Sequence, residues 1–265
     1  MNISYTMFST YKRCHRRMLL QYIKKVVPYD KIDNRPFIVG ICADWLFKNW
    51  ATSGYPKGWM EMKSKGIFEW FATKKKIRYI SADDKDKLIR KLALSVVSLE
   101  EAAFVERLPE RKFELQKEVM VERGSFTLTG KIDMWFPEER AIYDLKITSS
   151  MKYLDDFQLR YFAWLVEHKY SVLVDRLAFL SPLMSPSIRE VSWTPEDKTE
   201  FDLELMELLT MISEGKWEVT AKDCWGCPVM HFCEEEGDSV DKVTRSESGG
   251  FSLDLGGKGE EDGGF

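Results

Sequence analysis

Two short strings of residues could together bind a metal ion: Gly130-Lys-Ile-Asp133 and, eleven residues after that aspartate, Asp144-Leu-Lys146. Carboxylates suit a hard divalent cation such as Mg²⁺ or Mn²⁺. Such a cation can generate hydroxide and stabilise a phosphoryl transition state, while a nearby lysine can orient the water or neutralise developing charge. The pattern therefore predicts the core of a metal-dependent phosphodiesterase.

Both strings lie in runs that predict a β-hairpin. Residues 126–136 alternate apolar and polar side chains, a turn-like Pro-Glu-Glu-Arg follows, and residues 141–147 form a second run. Because side chains two positions apart on a strand point to the same face, Asp144 and Lys146 should lie side by side. Asp133 can join them from the partner strand.

The length and composition allow a substantial hydrophobic core. The chain has 265 residues, of which 44% are hydrophobic and 13% aromatic. No apolar run approaches the roughly 20 residues that span a bilayer, and the N-terminus lacks a signal pattern. We therefore expect a cytoplasmic protein without a membrane partner, in which clustered cysteines are more often metal ligands than disulfides.

The formal net charge of −4 is concentrated in the C-terminal tail. Residues 237–265 hold seven of the 43 acidic and three of the 39 basic residues, so residues 1–236 are electrically neutral. A neutral body with local basic clusters is compatible with nucleic-acid binding. The tail is rich in Gly, Ser and acidic residues, and we expect it to be disordered.

The order of predicted elements indicates an α/β fold with a mixed central sheet flanked by helices. The periodicity predicts helices over 8–25, 36–52, 82–107, 152–168 and 195–213, and strands near 113–121, 125–136, 140–147, 175–182 and 188–193. We expect one domain over residues 1–236, in which 8–112 are mainly helical, 113–193 form the α/β core and 194–236 hold a helix and a cysteine segment.

Three of the five cysteines fall within residues 224–233 in the spacing Cys-x₂-Cys-x₅-Cys. Cys14 is the best candidate for a fourth ligand, and four thiolates would suit a 4Fe–4S cluster or a structural Zn²⁺. His231 offers a Cys₃His zinc alternative. Cys42 lies on the presumed apolar face of a helix and is better interpreted as a small buried hydrophobic residue.

The predicted β-hairpin and the four-cysteine pattern together resemble those of the RecB-like branch of the PD-(D/E)xK nucleases. More narrowly, they resemble its iron–sulfur members, the CRISPR-associated RecB-like exonucleases and the AddB nuclease domain. The resemblance spans roughly residues 8–235. It implies a restriction-endonuclease-like core, a C-terminal iron–sulfur segment and a bacterial, archaeal or phage origin.

The resemblance also implies roles for individual residues. Asp133, Asp144 and the main-chain carbonyl of Leu145 would bind Mg²⁺ or Mn²⁺, and Lys146 would act in catalysis. The 4Fe–4S cluster, which the family pattern favours over zinc, would be held by Cys14, Cys224, Cys227 and Cys233.

Two positions depart from the family pattern. The family usually has a metal-binding histidine four residues after a glycine on an early helix, whereas here Gly40 is followed by Asp44, which can still bind Mg²⁺ or Mn²⁺. The family also has Gln-x-x-x-Tyr after the catalytic strand. Gln158 matches this pattern, but Tyr161 falls one residue early, which shifts it by about 100° around the helix. Two roles are therefore open for Tyr161: contact with substrate or packing in the core. Glu118 either supports the metal site or is exposed.

These observations favour a metal-dependent DNA nuclease, more specifically an exonuclease on single-stranded or end-containing DNA, in recombination, repair or CRISPR adaptation. The alternatives are a catalytically weakened DNA-binding accessory subunit of the same fold and a zinc-stabilised interaction protein. The acidic tail ends in Phe265 and resembles the C-terminal tips of single-stranded-DNA-binding proteins. Such a tip could dock on a recombination, single-stranded-DNA-binding or CRISPR adaptation protein. Alternatively, the tail could occupy the protein's own basic groove, or it could only solubilise the chain.

Overall fold

The computed structural model describes residues 1–26, 35–75, 81–105, 107–220, 224 and 227–235. The predicted acidic tail lies outside the described residues. Within the described ranges, no helix is long and apolar enough to cross a membrane.

A mixed sheet of six strands forms the centre of the described structure. The strands are β1 (Asn2–Ser4), β2 (Glu114–Arg123), β3 (Phe126–Phe136), β4 (Ala141–Leu145), β5 (Arg176–Leu180) and β6 (Ile188–Val191). The order is β1-β3-β4-β5-β6, and β2 pairs with β3. The β2–β3, β3–β4 and β5–β6 pairs are antiparallel, whereas β1–β3 and β4–β5 are parallel. The predicted mixed α/β architecture is therefore confirmed.

Helices cover both faces of the sheet. The described helices are α1 (Tyr5–Arg13), α2 (His15–Met18), α3 (Arg35–Ser53), α4 (Trp59–Lys74), α5 (Ala82–Val105), α6 (Asp156–Tyr170), α7 (Pro195–Ser213) and α8 (Met230–Glu235). A π-helix at Leu19–Ile23 follows α2, and short 3₁₀ turns occupy Leu108–Glu110 and Met151–Tyr153. The capping box at Thr194 and Asp197 fixes the start of α7, where the sequence predicted it.

The N-terminal helix differs from its prediction in two ways. It begins at Tyr5, after Ser4, whose side chain accepts from the amide of Met7, rather than at residue 8. It is also not continuous over 8–25, because Cys14 has an extended backbone (φ −165°, ψ 117°) that separates α1 from α2. Helix α4 was not predicted, since its residues show only weak helical periodicity.

Two hydrophobic cores lie on opposite faces of the sheet. Alternate residues of β4 and β5 separate between them: Ile142 and Leu177 join the first core, and Tyr143 and Ala178 join the second. The first core is completed by side chains of α1, α6 and α7, and the second by side chains of α3, α4 and α5. The β4 strand is thus held between two packed layers.

Gly130 allows α6 to pack closely against β3. A Cβ at this position would lie 2.5 Å from Leu165 Cδ1 and 3.1 Å from Phe162 Cδ1, and both side chains are buried. We expect Gly130→Ala to lower the free energy of unfolding by about 1–3 kcal/mol through overpacking. Gly66→Ala is the matched control, since nothing lies within 4 Å of its Cβ position in α4, and it should stabilise by up to about 1 kcal/mol. Urea melts compare the two, and equal stability of the Gly130 variant and the wild type would contradict the packing argument.

Candidate active site

Strands β3 and β4 and helix α6 bring together four of the predicted site residues. Lys146 Nζ lies 2.7 Å from Asp144 Oδ2, and Gln158 Nε2 donates to Asp144 Oδ1 at 2.9 Å. Asp133 joins them from β3, and its Oδ2 accepts from the amide of Leu145 at 3.1 Å. The predicted hairpin therefore places two carboxylates, an ammonium and an amide at one point.

The burial of the two aspartates makes their negative charges costly. Burial raises the pKa of Asp133 to about 7, and the nearby carboxylates of Asp144 and Asp44 contribute to this rise. Burial likewise raises the pKa of Asp144, and Lys146 opposes this shift. Like charges held together in a low-dielectric setting are the arrangement that a divalent cation stabilises.

Asp44, the third predicted carboxylate ligand, lies within electrostatic range of this pair. Its charge contributes to the raised pKa of both Asp133 and Asp144. Asp44 also forms an ion pair with Lys48, one turn further along α3. The donor set fits Mg²⁺ or Mn²⁺ by chemistry, because all three are carboxylates. As the side chains stand, no three His, Cys, Asp or Glu residues of the described part are grouped closely enough to hold a metal ion.

Lys146 follows directly after the end of β4, and its backbone is fixed on both sides. Its amide donates to the carbonyl of Leu180 at 3.0 Å, and its own carbonyl accepts from Ser181 Oγ at 2.9 Å. The side chain keeps 28% of its surface exposed, while that of Asp144 keeps only 3%. The Lys146 side chain therefore contacts the buried carboxylate and also reaches solvent.

Gln116 is a candidate site residue that the sequence motifs do not include. Its Nε2 donates to Asp133 Oδ1 at 2.8 Å from the neighbouring strand β2. The register of the β2–β3 hairpin identifies it. Arg123 pairs with Phe126 across the turn, and counting back along both strands from this pair places Gln116 opposite Asp133. Register therefore identifies a residue that motif spacing alone does not.

Two candidate residues do not face the carboxylates. Tyr161 is fully buried, and its hydroxyl donates to the carbonyls of Ile3 (3.1 Å) and Thr129 (3.2 Å), so it ties α6 to β1 and β3. It therefore has the core role and no surface for substrate. The side chain of Glu118 is 79% exposed, and its Oε1 lies 3.9 Å from Lys131 Nζ. Glu118 is therefore an exposed residue, the second of the two alternatives predicted for it.

Two open cavities lie along β2 on either side of Gln116. The first, of about 590 Å³, is lined by aromatic, aliphatic and basic side chains and, among the described residues, by no carboxylate; its members include Trp50, Tyr55, Phe113, Lys57, Arg111 and Lys112. The second, of about 480 Å³, includes Tyr5, Glu118, Gly130, Lys131 and Gln158. Gln116, which contacts Asp133, thus lies on β2 between residues that line two concave surfaces.

The described cysteines lie in two separate environments. Cys42 is fully buried in the second core, and burial raises its pKa to about 12. Burial also raises the pKa of Cys233 to about 11, and the neighbouring groups Cys227, Cys14 and Cys224 contribute to this rise. Cys14, Cys224 and Cys227 therefore lie within electrostatic range of Cys233, although, as the side chains stand, no three cysteines of the described part are grouped closely enough to hold a metal ion. The side chain of His231, the alternative zinc ligand, lies outside the described residues.

Comparison with known proteins gives one family and one fold. A family model described as the PD-(D/E)XK nuclease superfamily matches residues 2–234. Among solved structures, a protein from Eubacterium rectale provisionally named an exonuclease matches with a TM-score of 0.58 and 14% identity, over 92% of this chain and 93% of that chain. A structure titled SSO0001 matches with a TM-score of 0.35 and 12% identity, over 74% and 84%, which is too distant to bear on the fold. No curated protein matches.

Proposed function

Because the chain belongs to the PD-(D/E)XK nuclease superfamily, we propose that it is a metal-dependent DNA nuclease that hydrolyses phosphodiester bonds in the cytoplasm. The observation that carries the proposal is the convergence of Asp133, Asp144, Lys146 and Gln158 on one partly open site. The raised pKa values of two adjacent carboxylates support it, since perturbed carboxylates cluster at functional sites.

Asp133 and Asp144 would hold the metal ion, with Asp44 and the carbonyl of Leu145 as further ligands. The bound Mg²⁺ or Mn²⁺ would supply a nucleophilic hydroxide at neutral pH and polarise the phosphate. Lys146 orients the attacking water and neutralises the charge that develops on the phosphate oxygens. Gln158 fixes the orientation of Asp144 through its 2.9 Å hydrogen bond.

The preferred substrate in this proposal is single-stranded or end-containing DNA. Bases that leave the duplex stack on aromatic rings, and their phosphates need cations. The larger cavity offers both, because Tyr55 keeps 41% of its surface exposed beside Lys57 and Lys112. A DNA strand that passes the carboxylates and runs alongside β2 would reach this cavity within a few residues of Gln116.

A 4Fe–4S cluster on Cys14, Cys224, Cys227 and Cys233 is a second part of the proposal. The electrostatic influence of Cys14, Cys224 and Cys227 on Cys233 supports it, and four cysteine ligands are the usual set for such a cluster. The cluster would tie the break after α1 to the C-terminal segment. Anaerobically purified protein should be brown and contain iron, whereas a colourless preparation with stoichiometric zinc would contradict the iron–sulfur assignment.

The biological setting of this proposal is recombination, repair or CRISPR adaptation in bacteria, archaea or phage-infected cells. The acidic tail would dock there on a single-stranded-DNA-binding, recombination or adaptation protein. A pull-down with and without residues 237–265 tests this part, and equal recovery of partners by both forms would contradict it.

The nuclease proposal is tested with end-labelled single-stranded DNA, blunt duplex and closed circular DNA in Mn²⁺ or Mg²⁺. Cleavage of the linear single strand, with the circle left intact, supports an exonuclease. Cleavage of the circle would instead indicate an endonuclease. Absence of cleavage with any divalent metal, together with retained DNA binding, would favour the accessory subunit that the replacement of histidine by Asp44 suggests.

A further inference from the structure

Gln116 has an unusual backbone conformation for a residue within a strand. Its φ is +52°, in the left-handed region that residues other than glycine seldom adopt. It is the third residue of β2. Its neighbours Leu115 and Lys117 both pair with β3, whereas Gln116 itself makes no such pair. Backbone strain of this kind persists where the surrounding structure requires it.

The side chains of β2 change faces at this position. Leu115 packs against the second core, whereas Val119, an even number of residues later, is buried in the first core. A regular strand would keep both on one face. The left-handed residue between them accounts for the change of face in β2.

Strand β3 changes faces at the opposite position. Met134 is in the second core and Ile132 is in the first, although they are two residues apart. The residue between them is Asp133. Gln116 and Asp133 are thus the two residues at which this pair of strands changes faces, and their side chains meet each other.

The contacts of Asp133 show what this arrangement achieves. One carboxylate oxygen accepts from Gln116 Nε2 at 2.8 Å, and the other accepts from the amide of Leu145 at 3.1 Å. Two donors from two different strands therefore fix the carboxylate plane. Both donors are neutral, so the negative charge of Asp133 remains available for a cation. A lysine in place of Gln116 would instead neutralise that charge.

From this geometry we propose that Gln116 is a positioning residue, which holds the Asp133 carboxylate in the orientation that binds the metal ion. The inference rests on the proposed function, because it assumes that Asp133 is a ligand. Partners that hydrogen-bond to a ligating carboxylate orient it, and their removal costs about 10–100-fold in metal affinity.

The test is Mn²⁺ binding by calorimetry to the whole protein without DNA, using Gln116→Gly and Gln116→Asn. Glycine accepts the positive φ but removes the donor, and asparagine tolerates this φ but is too short to keep the contact. We expect both variants to bind Mn²⁺ about 10–100-fold more weakly. DNA affinity without metal should stay unchanged, and high Mn²⁺ concentration should restore cleavage.

Arg140→Gly is the matched control, because Arg140 has the same positive φ of 52° at the β3–β4 turn and pairs with Asp175, away from the carboxylates. It should bind Mn²⁺ as the wild type does. Wild-type affinity in both Gln116 variants would overturn the inference and leave the nuclease proposal intact. If the wild type itself binds no Mn²⁺, both the role of Gln116 and the proposed metal site are contradicted. An equal loss of Mn²⁺ affinity in Arg140→Gly would show a general backbone effect and would also overturn the inference.

Discussion

Lys146→Met is expected to lower the rate of DNA cleavage by about 10²–10³-fold, the cost of removing one group that stabilises transition-state charge. The methionine side chain keeps the approximate length and the apolar stem but has no charge. Asp144 would lose the ammonium that lies 2.7 Å from its Oδ2 and opposes its raised pKa. We therefore expect a loss in kcat with a smaller change in the KM for DNA.

The measurement is the initial rate of release of labelled nucleotides from single-stranded DNA at saturating Mn²⁺. Lys169→Met is the control, because Lys169 is an exposed lysine near the end of α6, outside the site residues. It should cleave at the wild-type rate. Cleavage by Lys146→Met within a few-fold of the wild type would remove Lys146 from the chemistry.

Asp133→Asn is expected to abolish the stabilisation of the protein by divalent metal. A ligand at one hundred times its Kd stabilises a protein by about 2.7 kcal/mol, which for a chain of this size raises the Tm by about 5–10 °C. Wild-type protein should show this shift with Mn²⁺. The variant should not, although Gln116 can turn its amide and keep a hydrogen bond to the introduced asparagine.

The same substitution has a pH-dependent effect in the absence of metal. The pKa of Asp133 is raised to about 7 in the folded protein by burial and by the neighbouring carboxylates. The unfolded chain therefore loses this proton at lower pH than the folded protein does, and the stability of the wild type falls as the pH rises from about 4 to about 7. The introduced asparagine carries no charge, so the variant escapes this loss.

Thermal melts with a chelator at about pH 8 and about pH 5 check the sign. Asp133→Asn should melt above the wild type at the higher pH, and the difference should shrink at the lower pH, where folded Asp133 is protonated. A variant that melts below the wild type at the higher pH would contradict the charge cost of buried Asp133. A variant that still responds to Mn²⁺ would contradict the metal-ligand role. Because metal binding needs the ionised carboxylate, the wild-type Mn²⁺ affinity should also fall below about pH 7.

The sequence by itself determined the local part of the site. Period-two alternation fixed the β3–β4 hairpin, because the side-chain repeat of a strand is set by its backbone, and the two motifs then placed Asp133 beside Asp144 and Lys146. Gln158 was identified by the resemblance to the family's Gln-x-x-x-Tyr motif, on the helix that follows the hairpin. The capped helix α7 and the buried character of Cys42 were equally readable from nearby residues.

The tertiary structure decided the features that depend on packing between distant segments. The interruption at Cys14 goes against a continuous helical pattern, and the core role of Tyr161 depends on carbonyls of β1 and β3 that only the fold brings near. The change of faces at Gln116 and Asp133 reverses the regular alternation from which strands are predicted. Asp44 shares no local pattern with the hairpin, and only the packing of α3 brings its charge to the other two carboxylates. The hairpin motif thus defined the chemistry, whereas burial between two layers set the charges and neighbours with which it operates.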